Sequence, residues 1–118
     1  MIYSAFGQTF GLYQKYATDF TPGDHVLPHS RLNEFCEEVE KFDLLMGNFE
    51  WGTWYQSSYL VDKPAYIVDA TLKECQLLLT AMLRLERFSP GVLDNMRRQG
   101  VLLAILERLQ CLFLKHAF

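Results

Sequence analysis

At 118 residues the chain has the size of one domain and can bury a core without disulfides or metals, and 50% apolar against 21% charged residues excludes a disordered polypeptide. A net charge of −3 without a dense Lys/Arg run argues against binding DNA or membrane surfaces through charge alone, which needs many phosphate contacts. With 14% of residues aromatic, there is more Leu, Phe and Tyr than a small interior holds, and such a surplus tends to lie in an interface.

Aromatics recur at Tyr3, Phe6, Phe10, Tyr13, Tyr16 and Phe20, steps of three and four that predict a helix with one aromatic side. Gly7 and Gly11 interrupt it, each costing about 1 kcal/mol relative to Ala, so a broken helix fits the same residues. From Thr21 to His29 two prolines and a Pro-Gly pair predict a loop. Ser30 is placed to cap a second helix, whose apolar positions are Leu32, Phe35, Cys36, Val39, Phe42 and Met46 and whose terminator is Gly47-Asn48. Phe49, Trp51, Trp54, Tyr55 and Tyr59, around Gly52, predict a short helix or turn packed like a plug, stopped at Lys63-Pro64. The apolar Tyr66-Ile67-Val68 then leads to Asp69.

Thr71 with Glu74 forms a capping box that opens a third helix through Leu72, Cys75, Leu78, Leu79, Met82 and Leu85 to Phe88. Ser89-Pro90 predicts a short fourth helix from Pro90 to Gln99, ended by Gly100. From Val101 to Phe118 the last helix is apolar on nearly every face, which a terminal helix of a monomer can seldom satisfy. The expected fold is mainly α: one compact domain over residues 1–118, a bundle of about five helices with a short aromatic-rich connecting segment.

The residues carry few candidates for chemistry. Cys36, Cys75 and Cys111 are odd in number and widely spaced, without a CxxC pair or a zinc pattern, so each reads as a small core residue. His25 and His29 have the spacing of a helical metal pair, but Pro28 between them opposes the helix, leaving loop residues without an assigned role. Glu34, Glu37, Glu38 and Glu40 read as a solvated helix face and not as paired catalytic carboxylates. No nucleophile elbow, P-loop or dinucleotide fingerprint occurs, so a non-enzymatic protein without metal or cofactor is expected.

Charge is unevenly placed: residues 30–50 hold six acids against two bases, and residues 70–118 seven bases against four acids, so each half can face an opposite charge. Arg84, Glu86 and Arg87 are expected to pair internally with the acidic second helix, and Arg97-Arg98 to face solvent at a helix C-terminus. The opening residues lack a secretory pattern, and Glu107, Arg108 and Lys115 interrupt the only long apolar run, so a cytoplasmic location is expected.

Phe49-Glu50-Trp51 with Trp54, Leu78-Leu79-Thr80-Ala81, Arg84, Arg87-Phe88, Gly91, Gly100 and Ile105-Leu106-Glu107-Arg108-Leu109 form a pattern over more than half the chain. In it the chain resembles a bacterial family of unknown function, number six-five-zero-eight, which implies a helical scaffold and no known activity. In its length and its opening Met1-Ile2-Tyr3-Ser4-Ala5-Phe6-Gly7-Gln8 the chain also resembles the quorum-sensing antiactivators. That resemblance implies a protein that binds the ligand-binding domain of a LasR-like transcription factor, blocks its dimerisation and keeps it off promoters. It assigns no contact residues.

From the residues themselves, the glycine-interrupted segment is the piece least needed in the core, which places partner binding on Phe6, Phe10 and Tyr13, the alternative being that these rings dock on the chain's own core. The all-round apolar last helix predicts a homodimer through Leu103, Leu106, Leu112 and Phe113. The alternative reading is a regulatory domain that binds a small molecule or nucleic acid.

Overall fold

A computed structural model of the chain describes residues 11–41, 45 and 49–117, without the side chains of 57 and 113–117. Its elements are α1 over 11–16, α2 His29–Lys41, α3 Trp51–Ser57, α4 Tyr59–Asp62, the 3-10 helix η1 Pro64–Asp69, α5 Leu72–Phe88, α6 Val92–Arg98 and α7 Val101–Ala117. No strand occurs among the described residues, and the mainly helical reading holds.

Helix α5 is the axis of the molecule. Cys75 and every residue from Leu77 to Leu83 are buried, because this run carries no charge and is covered by α3, α6 and α7. Thr80 satisfies its buried hydroxyl by donating to the Gln76 carbonyl at 2.7 Å. The helix begins as the capping box requires, with Thr71 Oγ1 accepting from Glu74 N–H at 3.1 Å and Glu74 Oε1 accepting from Thr71 N–H at 3.0 Å.

Around this axis, Leu32, Phe35 and Val39 of α2 and Val101, Leu102, Ile105, Leu106 and Leu109 of α7 supply the core, together with Ile67 of η1. Arg108 ties α7 to the start of α5 by donating from Nε to the Ala70 carbonyl at 2.6 Å. The aromatic side of the first segment also turns inward. Tyr16 and Phe20 are fully buried and form a three-ring cluster with Phe35, centroids 5.0–5.3 Å apart.

Two helix starts differ from expectation. Helix α2 starts at His29, one residue ahead of the Ser30 cap, because the Pro28 carbonyl already accepts from Arg31 N–H at 3.0 Å. Helix α6 starts at Val92, since Gly91 at φ 106° turns the chain and the Glu86 carboxylate, not Ser89, accepts from the N–H groups of Gly91 and Leu93. Gly100 does end α6, at φ 88°, and a Cβ there would stand 3.2 Å from Pro22, so close packing requires glycine as much as the turn does. The expected terminator Gly47-Asn48 and the apolar Phe42 and Met46 lie outside the described residues.

Candidate interaction surface

The aromatic segment after residue 48 is not a plug. Ser58, at φ −63° and ψ −20°, carries α3 into α4 with nearly helical geometry, so residues 51–62 follow one helical path. Trp54, Leu60 and Val61 pack on the core from one side. On the other side Trp51, Tyr55 and Tyr59, four residues apart, are exposed to 37%, 73% and 51%. Asp62 continues this face and is also exposed. Tyr66 and Val68 of η1 add further exposed apolar surface. The spacing was present in the sequence, but the period does not say which side of the helix the core occupies.

Cations cover several other rings. Arg84 lies over Phe49, 5.0 Å from its centroid, and the Phe49 and Trp51 rings are T-shaped with centroids 4.8 Å apart. Arg31 lies 4.7 Å from the Tyr16 centroid and Lys63 5.6 Å from that of Tyr66.

The surfaces assigned from sequence fare differently. Phe6 and Phe10 lie outside the described residues. Tyr13 is half-buried and packs on the core, and with Gln110 and Cys111 it lines a shallow groove. Cys111 also borders a groove of about 480 Å³ between η1 and α7, lined by Pro64, Ala65, Val68 and Ala104. The first segment and α7 are thus brought together. Of the four dimer residues, Leu103 and Leu112 are half-buried, while the Phe113 side chain lies outside the described residues. Leu106 is corrected: at 0% exposure it belongs to the chain's own core and offers nothing to a second copy.

The charged residues are organised more closely than their spacing suggested. Lys15 pairs with both Glu34 and Glu38, and Arg31 bridges Asp19 and Glu34, clamping α1 to α2. Hydrogen bonding to Lys15, then to Arg31, holds the Glu34 carboxyl below its ordinary value. Of Arg84, Glu86 and Arg87, only Arg87 pairs with α2 among the described residues, reaching Glu40 at 3.5 Å in the open, while Arg84 lies over Phe49 and Glu86 accepts from the start of α6. Arg97 does not face solvent. It is fully buried against Asp94 and His25, so His25 has a structural role that the sequence did not show.

Cys75 is buried, Cys36 half-buried and Cys111 exposed, which corrects the reading of all three as core residues. Burial pushes the Cys36 thiol up to about 11 and the Cys75 thiol up to about 12, so both stay protonated at neutral pH. Among the described residues, no group of three or more His, Cys, Asp or Glu could hold a metal ion, and no helix is long and apolar enough to cross a membrane.

Fold and surface together define a small, mainly helical domain that exposes an aromatic helix face. Residues 10–114 match the model of a family of unknown function, DUF6508, and the chain belongs to that family. No curated protein and no solved structure matches it.

Proposed function

We propose that this protein is a non-enzymatic, protein-binding antiactivator, which captures a LasR-like quorum-sensing transcription factor by its ligand-binding domain and so blocks dimerisation and DNA binding. The observation that carries the protein-binding part is the exposed row Trp51, Tyr55 and Tyr59. Trp and Tyr are the side chains most enriched at binding hot spots, and a folded domain gains nothing from holding three of them in water. The choice of partner rests on the resemblance of the chain's length and opening residues to antiactivators. Competition for a dimer interface needs apolar surface and no chemistry, which suits this molecule. We further propose that it works as a homodimer in the cytoplasm, with Leu103 and Leu112 in the contact.

The test is co-sedimentation of the purified protein with the ligand-binding domain of a LasR-like factor, paired with pull-down from native cytosol. A complex whose formation lowers promoter binding by the factor is the expected outcome. Recovery of crosslinked nucleic acid, or turnover in a metabolite screen, with no regulator bound, would overturn the reading.

A further inference from the structure

We infer that the exposed stripe Trp51, Tyr55, Tyr59 and Asp62 seats a cationic segment of the protein partner, one that presents arginine side chains to it. This deepens the protein-binding reading above and rests on it. The stripe is a surface of the folded domain, because Trp54, Leu60 and Val61 anchor the opposite side of the same helical path in the core.

Charge selects the occupant. Residues 50–69 hold Glu50, Asp62 and Asp69 against the single base Lys63, and all four are exposed. None of the three acids makes an ion pair among the described residues, whereas Glu34, Glu38 and Glu40 of α2 and Asp94 of α6 are paired within the chain. Asp62 is also the last residue of α4, where the partial negative charge of the terminal carbonyls disfavours a carboxylate. Lys63, its neighbour, turns its ammonium to the Tyr66 ring instead. A cation placed at this end of the stripe would relieve both the carboxylate and the helix terminus.

The rings select the kind of cation. Where Tyr16, Phe49 and Tyr66 approach charged side chains, this chain's own Arg or Lys lies over the ring. Tyr55 and Tyr59 have no such cover among the described residues, so their faces are open to a cation from outside. A guanidinium is planar and weakly hydrated: it stacks on a phenol ring while its fork bonds a carboxylate, which an ammonium cannot match. An anionic surface, whether phospholipid or nucleic acid, is repelled by the same three acids.

Intrinsic tryptophan fluorescence and calorimetry of the full chain at physiological salt, with nona-arginine and nona-lysine as probes, test the inference. Nona-arginine should bind several-fold tighter than nona-lysine. Tyr55→Ala, Tyr59→Ala and Asp62→Asn should each weaken it by about fivefold. Glu37→Gln, which removes the same charge from the exposed side of α2, should leave it unchanged. Circular dichroism checks that the variants, all at exposed positions, stay folded. Equal affinity for the two probes, no binding, or an equal loss from Glu37→Gln would overturn the inference. So would a change of sedimentation in Tyr55→Ala, which would make a second copy the occupant. Titrating the same variants with the ligand-binding domain of a LasR-like factor separates the two readings. If that domain never binds while the stripe still discriminates the probes, the choice of factor fails alone; if it binds equally to all variants, the stripe fails alone.

Discussion

Arg97 shows how one residue can join segments far apart in the chain. Its Nε donates to Asp94 Oδ1 at 2.9 Å, with Nη2 in ion-pair contact with the same oxygen at 2.8 Å; Nη2 donates to the His25 carbonyl at 2.9 Å, and Nη1 meets His25 Nε2 at 3.1 Å. A guanidinium never gives up its proton, so His25 Nε2 must offer its lone pair and the proton sits on Nδ1. The approach of Nε2 to the Asp19 carbonyl at 3.3 Å is then a contact and not a hydrogen bond. Arg97→Met should cost about 1–3 kcal/mol in urea unfolding, because part-exposed Asp94 and the His25 carbonyl lose the hydrogen bonds that Arg97 gives them, and Arg97→Lys should recover only part of it. An unchanged urea midpoint would show that the network contributes nothing. The cysteines offer a second measurement at this scale. Cys111 is exposed while Cys36 and Cys75 are held as buried or half-buried thiols, so alkylation at mildly alkaline pH should label Cys111 well before the others. Peptide mass spectrometry showing equal labelling would contradict the placement.

Each helix terminus uses a device of a few residues. Thr71→Ala removes the acceptor for Glu74 N–H and should cost about 1 kcal/mol of stability, read by chemical denaturation. Packing of α1 on α2 has a different signature, in pH. Hydrogen bonding to Lys15 leads the causes that lower Glu34, and in Asp94 bonds from Arg98 and Arg97 outweigh the upward push of burial. Both carboxyls thus ionise more readily folded than unfolded. Their contribution is present above the ordinary carboxylate range and is lost as pH falls through their lowered folded values. The urea midpoint should therefore hold from neutral pH to about 5 and fall below about 4. Lys15→Met should shrink that acid limb, and an unaltered limb would count against the clamp.

The whole molecule has a radius of gyration of 13.2 Å, as a compact domain of this length should. Its two candidate contact regions make separate predictions. Leu103→Asp should shift the sedimenting species from dimer to monomer while the domain stays folded, if α7 is the contact. Leu106→Ala should instead cost about 2–5 kcal/mol of stability, since that side chain is fully inside. A wild type that sediments as a monomer at micromolar concentration would remove the dimer and leave the aromatic stripe untouched.

By itself the sequence determined where helices start and stop when the signal is local. The bounds of α5 at Leu72 and Phe88, its Thr71–Glu74 box and the Gly100 terminator all follow from groups within four residues of one another. Tertiary structure alone decided which apolar faces are inside. Tyr16 and Phe20 belong to an aromatic stripe whose period left its side open, and they meet Phe35, whereas Trp51, Tyr55 and Tyr59 read as a plug but form an exposed row. The adjacent arginines divide in the same way, Arg97 enclosed beneath His25 and Arg98 half-exposed beside Asp94. The physical reason is common to these cases. Periodicity reports that one side of a helix is apolar or charged, but burial is fixed by what lies opposite that side, and the opposing residues come from elements distant in the chain.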